Sequence, residues 1–334
     1  MTICFIQLKK IVKYGPDLYY RSQLSALTFD VCHIYAEYYS DEMEQMNVDT
    51  MFKFMTFNKI ILVFALAALS FGRLYQGNRI IARASTGNIY YDAEFQNKKG
   101  KLTVDMKGWD DSTYVPHFKS IDNYTAIAEG AKETDANFQS VEDATFATLK
   151  TSVALTADEL KCAVVKDAHD EGLYSLLGYS AYYQGKADIA PSITHLIKAG
   201  VSEYTIKNPI KQFTDDPTFK ETTTVTQTCA GGSTYLITYS TNFNGLVDTS
   251  CIPNTVVPED ASKCASGDLS PVLKGYKLGE IFGLDTTTLK KLIQRFGAVL
   301  ITTEEDGEDA YINVIGWKKE GEVEFWIYTY TING

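Results

Sequence analysis

Asp285-Thr-Thr-Thr-Leu-Lys-Lys-Leu-Ile-Gln-Arg295, Ala298-Val-Leu-Ile-Thr-Thr303, Tyr311-Ile-Asn-Val-Ile-Gly-Trp317 and Val323-Glu-Phe-Trp-Ile-Tyr-Thr-Tyr330 follow one another in this 334-residue chain. The first run is acidic at its start and basic at its end, the polarity that a helix dipole favours. The other three are rich in β-branched and aromatic residues and read as strands. Lys318-Lys-Glu-Gly321 separates the last two and reads as the turn of an antiparallel hairpin.

Upstream of this block the pattern is mainly helical. Phe138, Val141, Thr145 and Leu149 recur at steps of three and four, which predicts a helix over Thr134–Lys150 with Thr134 and Asp135 as caps. In Leu155-Thr-Ala-Asp-Glu-Leu-Lys-Cys162, Thr156 and Glu159 have the spacing of a capping box. Tyr174–Tyr183 and Ile193–Gly200 read as helices, the second ending on a C-cap glycine. Between Arg73 and Met106, Asn88–Asp92 and Lys101–Asp105 read as short strands or an extended arm. Helices first and strands later predict an α+β domain with two segregated halves.

With 45% apolar and 13% aromatic residues, the chain has the material for a large core. Its 31 basic and 42 acidic residues give a net charge of −11, which argues against a broad nucleic-acid surface. Met51–Gly72 has a basic start, the apolar run Ile60–Leu69 and a small-residue exit. That run rises only about 15–20 Å as a helix, so it reads as a secretory signal, with an uncleaved signal-anchor or a buried helix as alternatives. Residues 1–50 precede it and read as a doubtful extension, 73–114 as a short extended segment and 115–334 as the folded domain.

Beyond the signal lie Cys162, Cys229, Cys251 and Cys264, an even number that in a secreted domain suggests two disulfides in any of three pairings. The absence of a Cys-x-x-Cys pair, with only His117, His169 and His195 downstream of the signal, argues against zinc. Asn123-Tyr-Thr125 is a glycosylation sequon.

Several stretches, taken in order, resemble landmarks of the papain family of cysteine proteases. Val115–Phe118 resembles the opening Pro-x-x-Phe, and Tyr124–Gly130 resembles, one residue shorter, the run that carries the oxyanion-hole glutamine. Lys132–Phe138 falls where the family has Cys-Gly-Ser-Cys-Trp-Ala-Phe before its long central helix. Leu155–Cys162 resembles Leu-Ser-x-x-Glu-Leu-x-Asp-Cys, and Thr228–Gly232 resembles Gly-Cys-x-Gly-Gly. Asn244–Cys251 and Lys263-Cys264 resemble the Gly-Leu segment and the cysteine before a basic stretch. Leu289–Val299, Asp309–Trp317 and Phe325–Thr331 resemble the family's later helix and its histidine- and asparagine-bearing strands. The resemblance implies a two-subdomain fold, with a helical half built on a long central helix and an antiparallel half that is reduced or open.

Papain-type chemistry needs a thiolate beside an imidazolium at a helix N-terminus, an orienting amide and an oxyanion donor. At the matched positions stand Asp135, Ala310, Tyr330 and Glu129 respectively, so none of the four reagents is intact. The family partner position of Cys229 is Lys132 here, so the resemblance pairs Cys229 with Cys251 or Cys264 and leaves the other for Cys162. Residues 163–225 are an insertion relative to the family.

Other constellations carry less. Glu304–Asp309 lacks the spacing of an EF-hand loop and reads as a hairpin turn. Nothing in the sequence joins Asp110-Asp111 to Asp215-Asp216 as an acid–base pair. The aromatic run Tyr174–Tyr183 with Tyr235 and Tyr239 reads as packing before it reads as a ligand groove. The expectation is a secreted, or lysosome- or vacuole-like, pseudoprotease that binds a peptide or protein in a residual cleft. It needs no cofactor, metal or nucleic acid, and touches a membrane only if the signal segment stays uncleaved. The alternatives are an active cysteine endopeptidase with displaced residues, or an unrelated disulfide-stabilised secreted binding protein.

Overall fold

The computed structural model describes residues 2–7, 87–90, 95–107, 118–230, 233–265, 267–281, 284–305 and 308–330. The signal segment, Asp110-Asp111, His117 and the side chains of the Glu304–Asp309 turn lie outside the described residues. Twelve strands are described: β1 Thr2–Gln7, β2 Asn88–Tyr90, β3 Phe95–Lys98, β4 Lys101–Asp105, β5 Phe118–Ser120, β6 Asn137–Gln139, β7 Glu203–Lys207, β8 Thr222–Thr224, β9 Lys277–Ile281, β10 Val299–Glu305, β11 Glu308–Glu320 and β12 Val323–Tyr330. The described α-helices are α1 Asp143–Phe146, α2 Ala163–Asp170, α3 Leu173–Tyr183, α4 Ile193–Ala199, α5 Lys211–Thr214, α6 Thr234–Asn244 and α7 Thr286–Phe296. The chain is therefore mixed α+β, as its pattern predicts. None of the described helices is long and apolar enough to cross a membrane.

The larger sheet has eight strands in the order β12-β11-β10-β1-β9-β2-β5, with β6 also paired to β11. β10, β11 and β12 form the predicted antiparallel set. The last two close through Gly321, whose φ of 61° suits a turn that asks for a residue without a side chain. β10 pairs with Glu308–Val314 of β11 and β6 with Gly316–Lys318. The change comes at a bulge between Val314 and Gly316, which re-aims the strand. β1 runs parallel to both neighbours, Cys4 lying opposite Gly279 and Val299. The sequence assigned no structural role to that strand.

A second sheet, β3-β4-β7-β8, was not foreseen. It joins the arm before residue 115 to the stretch read as an insertion, with Leu102 opposite Tyr204 in a parallel pair. Leu102 buries itself there beside Val201, Leu236 and Tyr239.

Helix α7 forms for the reasons the sequence supplies. Asp285 caps it by accepting a hydrogen bond from Thr288 N at 2.7 Å, which satisfies one of the free N–H groups of the first turn. Arg295 lies in the last turn, and Leu289, Leu292, Ile293 and Phe296 bury one face, as dipole and amphipathic spacing require. That face packs with Val299, Ile301, Val314 and Trp317 on one side of the sheet. The opposite side, through Leu300 and Ile315, meets the larger core of α2, α3 and α4, with Val165, Leu176, Leu177, Ile193 and Leu196.

The helix expected over Thr134–Lys150 is absent. Asn137–Gln139 is strand β6, the helical turn α1 covers only Asp143–Phe146, and a 3-10 turn spans Lys150–Ser152. The periodic residues do not share one face, because Phe138 stacks on Trp317 in one core while Val141 and Leu149 enter the other. Tertiary packing overrode a four-residue periodicity that two cores divide between them.

Candidate functional site

The four family-matched positions are not brought together. Glu129 is exposed in a turn that ends at Gly130. Asp135 lies in another turn, where its carboxylate accepts from Lys132 N at 2.8 Å and its carbonyl accepts from Trp317 Nε1 at 2.9 Å. It caps no α-helix. Ala310 pairs with Thr303 and Tyr330 with Ile312, so these two lie near each other on adjacent strands. Trp317, which holds Asp135, is roughly 20 Å of extended strand away from Ala310. Asn123 ends a short 3-10 turn and is exposed, as a sequon residue must be to accept a glycan.

The cysteines pair as Cys162–Cys229 and Cys251–Cys264. This bears out the expectation of two disulfides and corrects the pairing that the resemblance implied. The Thr156–Glu159 capping box leads into the start of α2, where Cys162 lies beside Cys229 with 4.7 Å between their Cα atoms. Thr156 N donates to Glu159 Oε2 at 2.8 Å and Glu159 N to Thr156 Oγ1 at 3.3 Å, the reciprocal pair of a capping box. Val164 N donates to Cys229 O at 3.0 Å. None of the four cysteines is left as a thiol, so Cys229 is no displaced nucleophile.

Helix α3 meets the antiparallel strands on the side of the sheet opposite α7. Its N-cap, Gly172, has φ 70° and ψ 0°, and its carbonyl accepts a 3.0 Å hydrogen bond from Asn313 Nδ2 on β11. A Cβ on Gly172 would lie 2.8 Å from Leu300 Cδ1 and 3.2 Å from Asn313 Nδ2, so the helix end is seated against the sheet. Asn313 is 2% exposed and faces Thr329 across the β11–β12 ladder. Asn313 Oδ1 and Thr329 Oγ1 are buried without a hydrogen-bond partner.

Next to this junction, the α2–α3 turn gathers His169, Asp170 and Glu171. His169 Nδ1 is 3.2 Å from Asp170 Oδ1, the Lys166 ammonium bonds the other oxygen of Asp170, and the His169 and Tyr174 rings lie 6.3 Å apart. Burial pushes the Glu171 carboxyl above its ordinary value, and Asp167 and Asp170 push the same way while a hydrogen bond with Thr234 opposes them. Asp167 is raised as well, again mainly by burial. Beside them the first turn of α3 presents Leu173, Tyr174 and Ser175, with leucine and tyrosine buried.

Among the described residues, no group of histidine, cysteine and carboxylate side chains is arranged to hold a metal ion. No family model, curated protein or solved structure matches this chain. Its site therefore has to be read from its own geometry.

The sequence showed α3 as a helix but attached no chemistry to it, and it did not single out Asn313, Gly172 or Glu171. An isolated Gly before an apolar run was the available signal. Gly172→Ala adds the cost of a left-handed alanine to the clash with Leu300, and we expect about 2–3 kcal/mol of lost stability. Gly130→Ala is the control: φ is 81° but a Cβ there meets nothing within 4 Å. Only the backbone cost of about 1 kcal/mol then remains. Urea unfolding of both variants measures the difference.

Proposed function

We propose that this chain is a secreted, papain-like peptidase homologue that has lost its cutting chemistry and binds a peptide or protein at the junction of its two halves. The observation that supports this reading is a buried helix, α3, whose N-terminus abuts an antiparallel strand pair, with Asn313 bonded to the Gly172 carbonyl, although neither residue is a family-matched position. The four family-matched positions carry no thiol or imidazole, and Cys162, Cys229, Cys251 and Cys264 are disulfide-bound, which supports the loss of the thiolate–imidazolium pair that amide hydrolysis requires. The ordered sequence landmarks supply the link to the family.

Two observations favour other readings. Strand β6 runs where the resemblance requires the start of the central helix, which favours an unrelated disulfide-stabilised binding protein. The place of β1 inside the sheet favours retention of the leader, since cleavage near residue 72 would remove Thr2–Gln7. N-terminal sequencing of the product exported by a eukaryotic cell decides that point: a start near Arg73 supports secretion after signal cleavage, and a start at Met1 opposes it.

For activity, the exported protein is incubated with a denatured protein mixture under reducing, mildly acidic conditions and new peptide ends are sequenced. We expect none. Ends that a thiol alkylator abolishes would make the protein a working cysteine peptidase. Retention of peptides from the same mixture on the immobilised, folded protein is the positive result expected of a binding cleft.

A further inference from the structure

His195 lies in the first turn of α4, where its backbone N–H donates to the Ser192 N-cap oxygen at 3.1 Å. Its ring is 1% exposed, and neither ring nitrogen makes a hydrogen bond. Burial of the imidazole favours its neutral form, because the cation would lose water, gain only the Ala261 carbonyl and face the positive end of a helix.

What covers it is thin. The irregular loop from Cys251 to Cys264 passes over the start of α4, closed at its base by the disulfide and by Ala265 N donating to Cys251 O at 2.8 Å. Asn254, fully buried, pins the loop: its Oδ1 accepts from Ile193 N at 2.7 Å and Thr194 N at 3.4 Å, and its Nδ2 donates to Pro191 O at 3.0 Å. Thr194 Oγ1 adds a bond to Pro253 O at 2.8 Å. Beyond that pin Thr255, Val256, Glu259, Asp260, Ser262 and Lys263 are exposed, and Ala261 returns to place its carbonyl near the His195 ring.

We infer that the Cys251–Cys264 loop is an acid-released strap, lifted from α4 when the buried His195 imidazole takes up a proton. The charged groups nearby do not substitute for water. On the loop, Asp260 is exposed and bound to Ser262 and Lys263, and Glu259 is exposed. Helix α4 itself carries Lys198, while α2 carries Lys166, Asp167, His169 and Asp170 and α6 carries Tyr235 and Tyr239. Burial dominates the titration of His195 and lowers it, with the Ala261 carbonyl opposing and no ionised side chain contributing.

The sign follows from linkage. The released loop binds a proton that the closed loop excludes, so closure is complete above the ordinary histidine value of about 6.5 and weakens as pH falls through the lowered one. Because the loop keeps its disulfide, the strap stays tethered at its base when it opens. The consequence is a start of α4 that is uncovered at His195 and Asn254 in acidic surroundings and sealed by the loop at neutral pH.

The test is hydrogen exchange of residues 252–265 in the oxidised full-length chain, corrected for the intrinsic pH dependence of exchange, from about pH 7.5 to about pH 5. Opening is expected to rise by up to about tenfold per pH unit in the natural chain and to stay flat in His195→Leu. A flat natural chain, or equal acid opening in the variant, overturns the inference. Should His195→Leu not fold, NMR titration of the imidazole decides. His195 should then titrate below its ordinary value in the natural chain and move back toward it in Asn254→Ala, whereas an ordinary value with the loop still closed overturns the proposal.

Discussion

Replacing Cys162 and Cys229 together by alanine is expected to lower stability by about 4 kcal/mol, the chain-entropy value for a cross-link of this span. The two cysteines are 67 residues apart, and the span between them holds α2, α3, α4 and the second sheet's β7 and β8. Cys162 is 1% exposed, at the step between a 3-10 turn and α2, and Cys229 packs against the same core. Each kcal/mol corresponds to about 2–4 °C in a domain of this size, so the midpoint should fall by roughly 8–16 °C. Cys251 and Cys264 are only 13 residues apart, and their removal should cost less, about 3 kcal/mol on the same argument. Urea denaturation of the two double variants under oxidising conditions compares them. Equal losses, or no loss for the Cys162 pair, would show that the long span is held by packing alone.

Trp317→Ala should cost about 3–5 kcal/mol, as removal of a fully buried indole does. Trp317 is 0% exposed and joins several elements of the fold. Its ring stacks on Phe138 of β6 at 5.0 Å, Lys290 of α7 places its ammonium 5.1 Å from the ring centroid, and Nε1 holds the Asp135 carbonyl. Lys290, 6% exposed, also donates to Glu133 O at 3.1 Å and pairs with Glu324 of β12. Truncation therefore leaves a cavity, an orphaned carbonyl and a lysine short of one partner. Trp317→Phe keeps the stack and loses the N–H, and should cost only about 1–2 kcal/mol. If both variants unfold at the same urea concentration, the hydrogen bond rather than the packing carries the effect.

The elements the sequence made legible are those with strong local signals. Val323–Tyr330 and Lys101–Asp105 are strands with the bounds read from pattern alone. The helices α3, α4 and α7 begin and end within a residue or two of expectation, because Gly200 and Asp285 mark their ends by local chemistry. The capping box of Thr156 and Glu159 forms as read, though it opens a 3-10 turn that leads into α2. The helix over Thr134–Lys150 failed because its apolar spacing was real but its residues serve two separate cores.

The candidate site was less legible than the fold around it. Asp135 was placed by matching short stretches, and a match of that kind says nothing of which helix the sheet will accept. The groups that meet at α3 come from residues 172, 313 and 329, too far apart in the chain for spacing to join them. Glycine at 172 has no side chain to advertise a role, and a lone asparagine in a strand reads as a surface residue.

By itself the sequence determined the α+β class, the positions of the main helices and hairpin, and that Cys162, Cys229, Cys251 and Cys264 form two disulfides, since propensity, capping and cysteine count act over a few residues or need no geometry. Only the tertiary structure decided which cysteines pair, that Lys101–Asp105 joins Glu203–Lys207 in a second sheet, that the start of α3 is bonded to Asn313 of β11, and that His195 lies sealed beneath the Cys251–Cys264 loop. Those outcomes depend on contacts between distant residues, whose free energy comes from burying surface that no local pattern specifies.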